Sequence, residues 1–121
     1  MTLTILGRPG TKKNRPQLFR NKRTGKPMLI QSKEARAWEA SAVTQLRLQW
    51  KGPALTVPCR LDCIFYVHPQ QRGDTTNYAS ALSDALEHAG VVANDRQFNV
   101  VRAERIVDRD TPRVECRVTP S

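Results

Sequence analysis

The chain has 121 residues, the common size of one domain, and 39% of them are hydrophobic while 26% are charged. This composition excludes a disordered chain and a bilayer-spanning run, so we expect one cytoplasmic domain, residues 1–121, with no membrane partner. The 20 Lys and Arg against 11 Asp and Glu give a net charge of +9, which favours nucleic acid as a partner. The simpler alternative is that the charge only keeps the surface solvated.

The first elements predicted are a strand and a long basic loop. Residues 2–6 alternate Thr with Ile and Leu, which predicts a strand. Residues 8–27 hold three prolines and two glycines without an apolar period, which predicts a loop, and residues 28–30 predict a short strand. No acidic residue interrupts the eight basic ones in this loop, which are Arg8, Lys12, Lys13, Arg15, Arg20, Lys22, Arg23 and Lys26.

Two helices and a long strand follow. Ala35, Trp38, Ala42 and Leu46 recur at helical spacing within residues 33–50, with Ser32 as a candidate N-cap. Residues 57–67 alternate and predict a strand with one buried face, formed by Val57, Cys59, Leu61, Cys63, Phe65 and Val67. Residues 75–89 predict a second helix with an apolar stripe of Tyr78, Leu82, Ala85, Leu86 and Ala89. The residues assigned to its opposite face are Asn77, Ser80, Ala81, Asp84 and His88.

The last two strands, residues 98–107 and 113–118, are rich in Val and Ile and are separated by the turn-forming residues 108–112, which predicts an antiparallel hairpin. The element order indicates an α+β fold, with a mixed or antiparallel sheet of about four to five strands backed by two helices.

The three cysteines, Cys59, Cys63 and Cys116, form no CxxC pair. On one strand face Cys59 and Cys63 lie about 13 Å apart, which is too far for a disulfide. We expect them in the core, and a metal site with His68 is the alternative. His68 and His88 have no visible partner in the sequence and receive no role.

Carboxylates remain as candidates for chemistry, because the sequence lacks a nucleophile elbow, a phosphate-binding glycine loop and an HExxH motif. Asp74 and Asp95 flank the second helix, which is about 22 Å long. They can meet only if Asp95 lies on a segment that returns along the helix, or if the site extends between subunits. In the structural alternative, Asp74 caps the helix with support from Asn77, and Asp95 forms a turn. Three roles are open for Asp84: part of the site, a solvated helix residue, or a hydrogen-bonded partner of a neighbouring strand.

The motifs R-G-D-T-T-N at residues 72–77, A-L-S-D-A-L at 81–86, A-G-V at 89–91 and N-D-R-Q at 94–97 keep their spacing without a gap. Together they resemble the RusA family of Holliday-junction resolvases, whose pattern is D-x-D-N-x-x-K, then D-A-L, A-G and D-D-x-Q. The resemblance is strongest over residues 72–107. Thr76 stands where the family has its second aspartate, and Ser80 stands where it has a lysine.

The resemblance implies a homodimer that cuts four-way junctions with Mg²⁺, or with Mn²⁺ as an alternative, in recombination and repair in a bacterium or phage. It makes Asp74 and Asp95 the metal ligands, with Thr76, Asn77 and Ser80 completing the catalytic site. The residues expected to contact DNA are Arg8, Lys12, Lys13, Asn14, Arg15, Arg20, Lys22, Arg23, Lys26 and Arg72.

Two other functions remain open at this point. Because Thr76 and Ser80 depart from the motif, the chain is alternatively a weakened or inactive relative that still binds junctions. A basic protein that binds RNA or another protein is the third class.

Overall fold

A computed structural model describes residues 1–11, 17–20, 27–30 and 33–121, and for 17–20 and 27–30 it describes the backbone only. The elements in chain order are β1 (Leu3–Leu6), β2 (Gln17–Arg20), β3 (Pro27–Ile30), α1 (Lys33–Gln49), β4 (Cys59–Val67), α2 (Thr75–His88), a 3-10 turn (Asp95–Gln97), β5 (Phe98–Val107) and β6 (Arg113–Pro120). The expected α+β fold is confirmed, with a four-stranded mixed sheet and two helices.

β4 lies inside the sheet, whose strand order is β1-β6-β4-β5. It pairs with β6 in antiparallel and with β5 in parallel orientation. The predicted hairpin of the last two strands is therefore wrong, because β4 separates them. The chain runs from β4 through α2 into a parallel strand, and such a crossover needs a connection long enough to hold a helix.

The buried face of β4 follows its sequence period. Cys59, Leu61, Cys63, Phe65 and Val67 alternate with half-buried neighbours and pack in the core. The prediction for Val57 is wrong, since the strand begins two residues later and the Val57 side chain is 44% exposed.

Both helices pack on this face of the sheet through the residues that their spacing indicated. α1 buries Ala35, Ala42 and Leu46, while Trp38 is half-buried against the core. In α2, Ala81 is buried rather than on the polar face, because the apolar stripe is wider than predicted. Ser32, the candidate N-cap of α1, lies outside the described residues.

A second, two-stranded antiparallel sheet pairs β2 with β3. The long loop predicted for residues 8–27 is thus wrong at Gln17–Arg20, whereas the short strand predicted at 28–30 is confirmed and begins at Pro27. Arg20 lies in β2. Residues 12–16 and 21–26 lie outside the described part of the chain, and with them seven of the expected DNA contacts: Lys12, Lys13, Asn14, Arg15, Lys22, Arg23 and Lys26.

The three cysteines are free thiols in the core, as expected. His88 contacts Glu39 of α1, a partner that is distant in the sequence and was not visible from it. No helix in the described ranges has the length and apolar character needed to cross a bilayer.

Candidate active site

The sequence-predicted carboxylates lie at the two ends of α2. Asp74 is the N-cap residue, and its Oδ1 accepts a hydrogen bond from the backbone N–H of Asn77 at 3.2 Å. The cap predicted from the residue type is therefore present, and it satisfies one of the free N–H groups of the first turn. This structural role does not exclude a second one, since Asp74 is exposed.

Asp95 begins the 3-10 turn that leads into β5. Its backbone N–H donates to Oε1 of Glu87 at 3.0 Å, so the chain after α2 turns back beside the last turns of that helix. Asn94 caps the turn, with its side chain accepting from the N–H of Arg96 at 2.8 Å. Asn94 stands where the D-D-x-Q pattern has its first aspartate, which is a third departure from the family motif. In this chain its side chain caps the turn.

Gln97, the last residue of the N-D-R-Q motif, holds this turn in place. Its Oε1 accepts from the N–H of Asn94 at 2.8 Å, and its Nε2 donates to the carbonyls of Leu55 at 2.8 Å and Val57 at 2.9 Å. The Gln97 amide thus links the turn, which includes Asp95, to the segment before β4.

An open cleft of about 330 Å³ lies between α2 and β5, and we call it the α2–β5 cleft. The residues that line it are Thr76, Ala79, Ser80, Ser83, Asp84, Asp95 and Val101. The fold therefore brings together three predicted site residues, Thr76, Ser80 and Asp95, and adds Asp84. Asp74 and Asn77 are not among these lining residues.

The sequence interpretation missed Ser83 and Glu87. Ser83 lies one turn after Ala79 on the cleft side of α2, and its hydroxyl donates to the Ala79 carbonyl at 2.9 Å. Glu87 follows Ser80 and Ser83 at helical spacing, and that spacing was the available signal.

The donor chemistry of the α2–β5 cleft suits a hard cation. Two carboxylates, Asp84 and Asp95, and two hydroxyls, Thr76 and Ser80, are oxygen donors of the kind that Mg²⁺ prefers. Within the described residues no group of three or more His, Cys, Asp and Glu side chains is placed to hold a metal ion. Mg²⁺ is commonly held by one or two carboxylates together with water and substrate phosphate, so the residues present fit it.

A second depression of about 250 Å³ lies on the opposite face of the sheet. Its charged residues nearly balance, with three carboxylates, Asp62, Glu104 and Glu115, and two guanidinium groups, Arg102 and Arg117. Arg60 donates to Asp62 at 2.8 Å and, with Arg102 and Arg117, holds the pKa of that carboxyl below its usual value. Because Asp62 is already paired with Arg60 and Glu115 with Arg113, this face is the weaker candidate for chemistry.

Of the expected DNA contacts with described side chains, Arg8 and Arg72 are both exposed. Gln71, the neighbour of Arg72, connects the two segments that carry them. Its Nε2 donates to the carbonyl of Pro9 at 2.9 Å, and its Oε1 accepts from the N–H of His68 at 2.9 Å. The start of the basic segment is thereby fixed against the loop that leads to Asp74.

Comparison with known proteins agrees with the family resemblance that the motifs indicated. The family model described as endodeoxyribonuclease RusA matches residues 7–119. A curated relative, the crossover junction endodeoxyribonuclease RusA of Aquifex aeolicus, is 29% identical over 83 residues. The matched segment covers 69% of this chain and 66% of that relative, just under two thirds of its length. Since the family model spans nearly the whole sequence, the chain belongs to the RusA family of endodeoxyribonucleases.

Proposed function

We propose that this protein is a metal-dependent endonuclease that cuts four-way junctions and other branched DNA in recombination and repair, and that it acts as a homodimer. The observation that supports this most directly is the α2–β5 cleft, where Asp95 shares a concave site with Thr76 and Ser80 of the family motif. The relative in Aquifex aeolicus is named a crossover junction endodeoxyribonuclease, which supports the cutting of DNA junctions.

The proposed substrate fits the charge of the protein. A net charge of +9 attracts a polyanion and favours binding through counterion release. Arg8 and Arg72 are exposed and lie on the two segments that Gln71 joins. We place phosphate contacts at these two residues, and the other basic residues of 8–27 would extend this surface.

In the proposed site, Asp95 is a metal ligand and Asp84 lies in the same cleft as a further carboxylate. Asp74 lies at the other end of α2 and outside the cleft lining, so as the second metal ligand it would belong to a site that extends between subunits. Bound Mg²⁺ or Mn²⁺ would activate water and offset the charge that develops on the phosphate. The Thr76 and Ser80 hydroxyls face the same cleft and can donate to phosphate oxygens. Asn77 supports the site through its backbone N–H, which orients the Asp74 carboxylate.

A second candidate function, a junction-binding protein with weak or no activity, is favoured by one observation. Thr76 and Ser80 line the α2–β5 cleft, so the two positions where this chain lacks the family's aspartate and lysine lie within the proposed site. A threonine hydroxyl is a neutral ligand and a serine carries no positive charge, which reduces metal affinity and phosphate stabilisation.

The test is incubation of the purified protein with a labelled four-way junction, with and without Mg²⁺ or Mn²⁺, while binding and nicking are measured in parallel. Paired nicks that need metal support the endonuclease. Tight binding without nicks supports the inactive relative, for which Thr76→Asp with Ser80→Lys should restore cleavage. Equal binding of junction, duplex and structured RNA would contradict both.

Asp74→Asn and Asp95→Asn sharpen this test, because each removes a charge and keeps the size of the side chain. Asparagine is also a good N-cap, so Asp74→Asn preserves α2. We expect both variants to lose nicking and to retain junction binding. Asp110→Asn, an exposed aspartate in the turn before β6, is the matched control and should remain active. Full activity of the Asp95→Asn variant would refute the assignment.

A further inference from the structure

Three segments that are far apart in the sequence meet at one end of the four-stranded sheet. β1 and β4 both pair with β6, so their ends lie beside the turn that precedes β6. The N–H of Gly7 donates to the carbonyl of Pro112 at 3.2 Å, and the N–H of Asp108 donates to the carbonyl of Val67 at 2.8 Å. Gly7, Val67 and Asp108 are each followed in the chain by a side chain that carries N–H groups. These three residues are Arg8, His68 and Arg109.

The side chains of these residues are close enough to act on one another. The pKa of His68 lies below its usual value because burial disfavours the charged ring and because the guanidinium groups of Arg8 and Arg109 repel a positive charge on it. The ring is therefore neutral near pH 7. Two cations from different segments thus lie near a neutral imidazole.

A backbone hydrogen bond determines which nitrogen of the His68 ring can donate. Nδ1 accepts from the N–H of Gln70 at 3.1 Å. A neutral imidazole that accepts at Nδ1 carries its proton on Nε2, so Nε2–H is the donor. No described residue accepts from Nε2, and this donor is left for a ligand.

The two arginines carry charge that the fold does not balance. Arg8 and Arg109 are exposed, and neither forms an ion pair with another described residue. Of the two acids in the turn before β6, Asp108 is already paired with Arg113 at 3.1 Å, which leaves the exposed Asp110. One carboxylate beside two guanidinium groups leaves an excess of positive charge at this end of the sheet.

We propose that Arg8, His68 and Arg109 form a phosphate-binding site for the DNA backbone. The two guanidinium groups supply charge and the neutral ring supplies one N–H donor, a set that suits the oxygens of a phosphodiester. Phosphate contacts of this kind fix the position of DNA and carry no sequence information. The inference rests on the proposed function, and it adds His68 and Arg109 to the contacts expected from the basic segment.

The location of the site gives it a role in placing the substrate. His68 begins the loop that leads to Asp74 and the start of α2. Gln71 of this loop donates to the carbonyl of Pro9, the residue after Arg8, at 2.9 Å. A phosphate bound to Arg8 and His68 would therefore hold the DNA against the two segments that Gln71 already joins.

The first test measures junction binding without divalent metal, so it does not depend on nicking. Arg8→Ala and Arg109→Ala should each raise the Kd and reduce the slope of log K against log salt by about one. His68→Asn keeps an acceptor for the N–H of Gln70 but removes the Nε2–H donor. It should raise the Kd severalfold with an unchanged slope, because the ring carries no charge. Lys51→Ala, at the exposed residue that follows α1 near the start of β1, is the control and should change neither quantity.

A second test follows the His68 ring itself by NMR. The chain has two histidines, and a His88→Gln variant assigns their Cε1–H signals. A short DNA duplex should shift the His68 signal and raise the pKa of His68, because a bound phosphate offsets the two guanidinium groups. In Arg109→Ala the shift should be smaller. His88, which contacts Glu39 at the other end of α2, is the internal control and should not shift.

An Arg109→Ala variant with the full salt slope, or a His68 signal that DNA does not move, would overturn this site. Equal shifts of both histidine signals would overturn it as well, because they indicate a general change. If the wild type nicks junctions in any of these cases, the proposed function stands without the site. A wild type that shows the expected slopes and shifts but never nicks would support the site and count against the endonuclease.

Discussion

The backbone N–H of Asp95 donates a hydrogen bond to the side-chain carboxylate of Glu87, with 3.0 Å between N and Oε1. This contact joins the return of the chain to the last turns of α2, and it orients the aspartate that faces the α2–β5 cleft. Glu87 therefore acts on the site through the backbone of Asp95, as a positioning residue.

Removal of the Glu87 acceptor should misplace Asp95. We expect Glu87→Ala to lower the junction-nicking rate by about tenfold to a hundredfold, because small displacements of a reacting group are costly, and to leave junction affinity unchanged. Glu87→Gln keeps an oxygen acceptor and should retain most activity. Amide hydrogen exchange at Asp95 checks the contact independently of activity and should be faster in the alanine variant only. Equal exchange in all three proteins would contradict the role.

Gly73 is required by the packing of Tyr78. A Cβ at residue 73 would lie 2.8 Å from Cζ of Tyr78, and that ring is 1% exposed and stacks on Phe65 with 5.4 Å between centroids. Since the ring has no room to move, we expect Gly73→Ala to destabilise the protein by about 1–3 kcal/mol in urea unfolding and to shift Asp74. At Gly52 an added Cβ meets no atom within 4 Å, so Gly52→Ala should unfold like the wild type. Equal stability of both variants would show that the loop adapts.

The local elements could be predicted from the sequence because each has a clear period. α1, α2 and β4 bury residues at spacings of three to four or of two, and the periodic residues lie in the core. The Asp74 cap of α2 and the Asn94 cap of the turn at Asp95 are formed by neighbouring residues, so residue type sufficed for these two features.

The sheet order could not be obtained in the same way. Residues 98–107 and 113–118 are separated by a short turn segment, which is typical of a hairpin, yet β4 pairs with both strands. The strand–helix–strand order around α2 favoured parallel pairing of β4 with β5, but the sequence alone does not show which of the two pairings forms. The cleft depends on this pairing, since Val101 reaches α2 only because β5 lies beside β4.

Gln71 gives a prediction about DNA binding. Gln71→Ala removes the hydrogen bonds to Pro9 and His68, so the basic segment that follows Pro9 should be held less firmly. We expect the junction Kd to rise severalfold while the slope of log K against log salt stays unchanged, because no phosphate contact is deleted. Arg72→Ala, at the neighbouring residue, should instead reduce that slope by about one. If both variants change the slope equally, Gln71 is not a positioning residue.

The core thiols give a prediction about pH. Burial raises the pKa of both Cys63 and Cys116 to about 12, from an ordinary value of 9.0, so the folded state favours the protonated thiols. In the unfolded chain the same thiols ionise near 9.0, so their contribution to stability is complete below that pH and is lost as the pH rises from 9.0 towards 12. Urea unfolding across this range should show falling stability, and Cys116→Ala should show a smaller fall.

The same burial gives a prediction about thiol reactivity. Because the thiolate is the reactive form, a thiol-specific dye at neutral pH should label none of the three cysteines in the folded protein and all of them in urea. Rapid labelling of the folded protein would show that β4 and β6 separate readily.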